Sequence, residues 1–180
     1  MRENAFLIKN LKMILKDERT GQRDTFYYER GNVEYVELLN QDRKTYHDVK
    51  SIDGIYSVNK KTQIEVEVAL QFTNTYSENI ISFVNNVRTK DGGNHETGFK
   101  SGLTRAINDY ARKYNILKER DPNIDGVDIR EGITVVISLR IPEQILEFEG
   151  QTKGKLGTPE ARNATENIIY EKFSYYLEEN

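Results

Sequence analysis

Between Ile64 and Phe72 the chain reads IEVEVALQF, which puts Ile64, Val66, Val68, Leu70 and Phe72 on one side of an extended backbone and Glu65, Glu67 and Gln71 on the other. A period of two of this kind is a β-strand with one core face and one wet face. Such a strand cannot be stable alone, because it needs partners in a sheet and a layer over its apolar side. The partners are legible in the same alternation. ITVVISLRIP places Ile133, Val135, Ile137, Leu139 and Ile141 on one face and predicts a central strand. NIISFVNNV, Asn79 to Val87, predicts another, and the short link TNTYSE suggests that it forms a hairpin with Ile64–Phe72 as an antiparallel neighbour. Leu11 to Lys16 and TFYYE read as a further hairpin turning at Thr20-Gly21, and Gln144 to Phe148 as a short strand.

The covering layer comes from helices. Asp91-Gly92-Gly93-Asn94 breaks the chain and offers an N-cap to a helix from His95 to about Lys118. In it Phe99, Leu103, Ala106, Ile107, Tyr110, Tyr114 and Leu117 fall within an arc of roughly 100°. A last helix starts at Thr158 as N-cap with Pro159 at its first position, runs to about Leu177, and buries Thr165, Ile169, Phe173 and Tyr176. A shorter one follows Asn32 as N-cap, with Val33, Val36 and Leu39 on its apolar face; QDRKTYHDVKSIDG behind it reads as a polar connector. Strands and helices in this mixture give an α+β fold. A boundary belongs near Gly31, dividing residues 1–30 from 31–180, because a lone hairpin cannot bury its own faces and must complete a larger sheet.

Composition removes several functions. The chain has 180 residues, enough for one ordinary domain with a real core. It has no cysteine, so no disulfide or thiolate metal site, and its two histidines, His47 and His95, are too far apart in sequence to suggest a metal pair. With no apolar run long enough to span a bilayer and no signal-like start, a soluble, cytoplasmic protein is expected. The net charge of -3 argues against a free-standing basic nucleic-acid binder but leaves room for local patches.

The strongest candidate for chemistry is FEGQTKGKLG, Phe148 to Gly157, which sets Gln151, Lys153 and Lys155 among three glycines. If residues 151–153 are extended, the Gln151 amide and the Lys153 ammonium point to the same side and together suit a terminal phosphate. The bland alternative is an exposed charged loop. It is not a P-loop, since GxxxxGK[ST] would need glycine where Lys155 stands, and no GxGxxG occurs. Of the long helix's cations, Lys100, Arg105, Arg112, Lys113 and Lys118, some are candidates for a phosphate backbone and most for a solvated face. His95 and His47 read as packing or capping residues, and Asp128, Arg130 and Glu131 as a salt-bridged turn.

Three stretches taken together, SENIISFVNNVRTKDGGNHETGFKSGLTRAINDYARK, DGVDIREGITVVISLRIP and FEGQTKGKLGTPEAR, resemble in order and spacing the B subunits of bacterial type IIA topoisomerases, DNA gyrase and topoisomerase IV. The resemblance covers nearly the whole chain, and the wording IPEQILEFEGQTK and FVNNVRTKDGG is similar to the topoisomerase IV branch. It implies a transducer domain with a ribosomal protein S5 domain 2-like fold, a four-stranded sheet backed by helices, preceded by the terminal strands of a GHKL-type ATPase domain. It also implies that Lys153, with Gln151 assisting, contacts the γ-phosphate of ATP bound with Mg2+ mainly by that neighbouring domain. Lys100, and with it Arg105, would face the cavity for double-stranded DNA. The implied partners are a second B subunit and the topoisomerase IV or gyrase A subunit. No complete catalytic set and no metal site belong to this stretch, so alone it is expected neither to hydrolyse ATP nor to cleave DNA. Gly154 stands where the family more often has a hydroxyl or acidic residue and is expected to loosen the loop. A stand-alone S5-like module binding RNA or protein is the alternative.

Overall fold

The computed structural model describes residues 2–179. Its main sheet is built from β3 (Lys50–Ser57), β4 (Gln63–Phe72), β5 (Asn79–Val84), β6 (Val87–Arg88) and β7 (Ile133–Arg140), in the order β3-β4-β7-β5-β6. β7 is central, as its apolar alternation requires, and Ile133, Val135, Ile137 and Leu139 are fully buried. β6 adds a two-residue edge to the four strands implied by the resemblance. β3, by contrast, begins inside the stretch read as a polar connector, because as an edge strand it buries only Ile52 fully and carries little apolar signal.

The expected hairpin of β4 with β5 is not formed. β7 lies between them, antiparallel to β4 and parallel to β5. The direction of β5 relative to β4 is as read, but not the adjacency. Residues 73–78 have only two strand spacings, about 10 Å, to cross. Thr73 anchors that crossing through its N–H and hydroxyl, which both donate to the Gly132 carbonyl at the start of β7. The strand also stops at Val84, where Asn85 and Asn86 turn the chain with positive φ into β6.

One face of the sheet is covered by α3 (Asn94–Lys113) and α5 (Pro159–Glu179), which enclose a core of Ile64, Val66, Val68, Leu70, Val135, Ile137, Phe99, Leu103, Ile169 and Phe173. The two helices approach backbone to side face at Gly98 and Gly102, where a Cβ would run into the Arg162 and Glu166 carbonyls. α3 ends at Lys113 and not at Lys118: Asn115 takes a positive φ, and the Arg112 guanidinium donates to the Lys118 and Asp121 carbonyls and to Asn123, folding the next residues back. Asn94 does not cap the helix; Gly93 holds the N-cap position with φ 137°. Thr158 stands just before α5 as read, its carbonyl accepting the Ala161 N–H, but its hydroxyl is spent on residues 145–147, accepting from the Glu147 N–H and donating to the Ile145 carbonyl. Where a strand was expected from Gln144 to Phe148 the chain makes a 3-10 turn, Glu143–Ile145, and becomes extended in a strand only at Phe148.

The other face carries α1 (Arg2–Leu7) and α2 (Asn32–Leu39), with Phe6, Leu7, Tyr35 and Val36 against Ala69, Ile81, Phe83 and Val136. Gly31, not Asn32, is the N-cap of α2, and Asn32 is itself buried. The hairpin of β1 (Met13–Lys16) and β2 (Arg23–Phe26) turns at Gly21 as read, and leaves Leu11, Ile14, Leu15 and Tyr27 between 37% and 47% exposed. A short α4 (Gly126–Ile129), capped by the Asp125 carboxylate, leads into β7. No helix among the described residues is long and apolar enough to cross a membrane.

Candidate functional site

The candidate loop is the tip of a small hairpin between β8 (Phe148–Glu149) and β9 (Lys155–Leu156). Gly150 and Lys153 both have positive φ, so residues 151–153 form a turn and are not extended; the expected same-side pairing of Gln151 and Lys153 by strand alternation does not apply. What the turn does is expose the whole tip: Gln151, Thr152 and Lys153 stand in solvent. The Lys153 ammonium lies 5.9 Å from the Phe148 ring centre, a contact of cation–π type, and no carboxylate among the described residues is within ion-pair distance. Lys155, two residues on, is instead paired with Glu149 at 2.9 Å.

The base of the hairpin is tied down. The Leu156 N–H donates to the Gly92 carbonyl at 3.0 Å and the Asp91 N–H donates to the Gly154 carbonyl at 2.9 Å, while Gly93 and Leu156 form a parallel bridge. Gly154 is buried, and a Cβ there would collide with the Asp91 carboxylate. The glycine therefore leaves room for the Asp91 carboxylate beside the base of the hairpin. Asn94, the first residue of α3, completes the junction through its side-chain amide, which donates to the Gly157 and Thr158 carbonyls. Exposed tip and start of the long helix are thus one hydrogen-bonded unit.

α3 then carries its cations along the surface. Lys100 and Arg105 line one groove of about 430 Å3 with Ser101, Thr104, Asn108 and Arg130. Lys100 is paired with Glu78 at 2.6 Å, and Arg130 with the other oxygen of the same carboxylate at 3.0 Å. Burial pushes the Glu78 carboxyl up, but the bonds from Lys100 and Arg130 outweigh it and hold the group below its ordinary value. Arg105 lies 4.0 Å over the Tyr170 ring and 3.8 Å from Asp109. Lys113 is bound to Glu178, and Arg112 serves the turn after the helix, so neither belongs to the groove.

The remaining polar candidates are structural. The His47 Nε2 accepts the Phe72 N–H, while its Nδ1 faces the Asp48 carbonyl at 2.6 Å. His95 is fully buried. Arg130 does not pair with Asp128 or Glu131 but with Glu78, 52 residues away, a partnership that no local spacing announces. Among the described residues no group of His, Asp and Glu could hold a metal ion.

The family model for DNA gyrase B matches residues 31–180. The chain belongs to the DNA gyrase B family. It is 56% identical, over its entire length, to the B subunit of DNA topoisomerase 4 from Bacillus subtilis (strain 168), and 52% identical over 99% of its length to the protein of the same name from Staphylococcus aureus (strain MW2). It spans about a quarter of the length of these relatives, 27% and 26%. Among solved structures, the 43K ATPase domain of Thermus thermophilus gyrase B, crystallised with an aminocoumarin, superposes with a TM-score of 0.85 at 35% identity, covering 99% of this chain and 46% of that one. A topoisomerase IV ATP-binding domain of Francisella tularensis has the same fold, with a TM-score of 0.79 at 23% identity, covering 99% of this chain and 46% of that one. The mixed α+β architecture of this family member is therefore that of gyrase B ATPase and transducer structures.

Proposed function

We propose that this chain is the transducer part of an ATP-dependent type II topoisomerase B subunit of the topoisomerase IV branch, residues 31–180, preceded by the last elements of the ATPase domain, residues 1–30. In this reading it couples ATP binding and hydrolysis to passage of one DNA duplex through another. The single observation that carries it is the union of an exposed, acid-free Lys153 with the first residues of the helix that holds Lys100 and Arg105. The match of the family model from residue 31, and the exposed apolar side chains on the β1–β2 hairpin, support the division at Gly31.

At the tip, Lys153 supplies a charge and Gln151 an amide N–H to the γ-phosphate, and both are lost to the ligand when that phosphate leaves. A ligand shifts a conformation only through contacts that differ between its states, and a γ-phosphate gripped by this tip is such a difference. Adenine, ribose and Mg2+ are assigned to the part of the relatives' length that this chain does not span. Lys100 and Arg105 serve the phosphate backbone of the transported duplex. The partners are double-stranded DNA, a second B subunit and the A subunit. The relatives' names and the family match favour this over a stand-alone S5-like binding module.

Lys153→Ala in the full-length protein tests it. A charge-assisted phosphate contact contributes about 1.5 to 3 kcal/mol, so ATPase and decatenation rates should fall at least about tenfold with the fold intact. Unchanged rates of both would remove the role given to the loop.

A further inference from the structure

Glu78 does more than hold the groove together. We propose that it is a built-in competitor for the DNA backbone: its carboxylate occupies the two cations, Lys100 and Arg130, that a phosphate of the duplex would take, and binding in the groove requires it to give way. The inference rests on the DNA-facing reading of α3 given above.

Both oxygens of the carboxylate are used, Oε1 on the Lys100 ammonium at 2.6 Å and Oε2 on the Arg130 guanidinium at 3.0 Å. This is the kind of contact a phosphodiester makes, since it too offers two anionic oxygens to directed donors. The Glu78 carboxylate stands against two cations, Lys100 and Arg130; Arg105 adds a third to the same groove and Asp109, 3.8 Å from Arg105, a second acid, so three cations face two carboxylates. The polar side chains beside them, Ser101, Thr104 and Asn108, suit a hydrated anion better than an apolar partner.

The position of Glu78 also favours release. It ends the crossing loop ahead of β5, and Asn74, Tyr76 and Ser77 before it are exposed, Tyr76 at 88%. No helix has to move for the carboxylate to swing away. Arg130, by contrast, has a side chain only 12% exposed and is fixed at the end of α4, so the cations remain as the acid leaves. The Lys100 half of the pair, 37% exposed on the lysine, is of the kind that is worth little and is exchangeable for a better anion, while the less exposed Arg130 keeps its need for an anion in that place.

The test is duplex binding by the full-length B subunit, titrated between about 50 and 200 mM salt. Glu78→Gln keeps the shape and removes the charge. It should tighten binding about three- to fivefold at the low end, the range set by release of the exposed Lys100 pair. Each additional phosphate neutralised should steepen the log–log salt dependence by about 0.9. Glu78→Asp, which retains the charge, should stay near wild type, and Glu78→Gln added to Lys100→Ala should lose most of its gain. If Glu78→Gln leaves affinity unchanged or weakens it while Lys100→Ala still weakens binding, the competitor role is overturned and the DNA-facing helix stands. If Lys100→Ala has no effect, the DNA reading of the groove fails and the competitor role with it. Thermal melts of each variant separate loss of binding from loss of fold.

Discussion

The main-chain nitrogen of Leu156 donates to the carbonyl oxygen of Gly92 across 3.0 Å, and this one bond joins the second strand of the candidate loop to the residues that open α3. Its neighbour Gly93 sits at φ 137°, with the Leu156 backbone where a side chain would be. Such closeness leaves no slack between the hairpin and α3, so a displacement at the tip has a mechanical path into the helix that carries Lys100.

Gly93→Ala is therefore expected to destabilise the chain by about 1–3 kcal/mol, since it combines a disfavoured backbone conformation with a collision against main-chain atoms. Gly150→Ala is the matched control. It has a positive φ of 78° but open space around it, so it should cost only the conformational part, about 1–2 kcal/mol, and less than Gly93→Ala. Denaturant unfolding of the two variants checks the contrast; equal costs would mean that the junction is not tightly packed.

How far the residues themselves foretell this arrangement depends on where each signal is carried. The strands Ile64–Phe72 and Ile133–Arg140 are readable because one face of each is apolar at every second residue, although both are buried on their other face as well over much of their length, and α5 because Pro159 opens it. Gln71 shows where alternation misleads: placed on the wet face, it is buried, its amide donating to the His47 carbonyl and accepting from Asn40 beneath α2. A sheet covered on both sides needs polar residues that satisfy one another, and only the three-dimensional partner reveals which. The same holds for Arg130 and Glu78, and for β7 lying between β4 and β5, since pairing order is decided by long-range packing. In the loop, the sequence shows an unusual lysine and glutamine among glycines, but the positive φ at Lys153 and the docking of Gly154 on Asp91 depend on residues far away in the chain.

Asn108 offers a second measurement. Nearly fully buried on α3, its amide donates to the Thr104 carbonyl at 3.0 Å and the Ile124 carbonyl at 3.1 Å, and its oxygen accepts the Ile124 N–H at 2.8 Å. It therefore fixes the segment leading to α4 and Arg130. Asn108→Ala leaves the Ile124 N–H and carbonyl without these partners and should cost about 1–3 kcal/mol. Hydrogen exchange should locate the loss: the Ile124 amide is expected to lose protection first. A uniform loss across the sheet would contradict a local tie.

Burial of His95 makes the stability of the fold depend on pH. His95 is fully buried, with Nε2 3.1 Å from the Thr89 hydroxyl and no partner for Nδ1. The Ser82 hydroxyl donates to Glu96 and lies 2.6 Å from the Thr89 hydroxyl. With Glu96 ionised, Thr89 donates to Ser82 and accepts from the ring, so the proton of the neutral imidazole is on Nε2. A second proton would go to Nδ1, where nothing accepts it, and burial pushes the pKa down from 6.5 to about 4. The sign follows from linkage. Below pH 6.5 the unfolded chain takes up a proton that the folded chain refuses, so the stability this group confers is complete above 6.5 and is lost as pH falls toward 4. The gap of about 2.5 units amounts to about 3 kcal/mol across that window. His95→Gln removes the titration, so the difference in unfolding free energy between wild type and variant should shift by about that amount from pH 7 to pH 4. Parallel pH profiles for the two proteins would show that the ring is not held neutral by its burial.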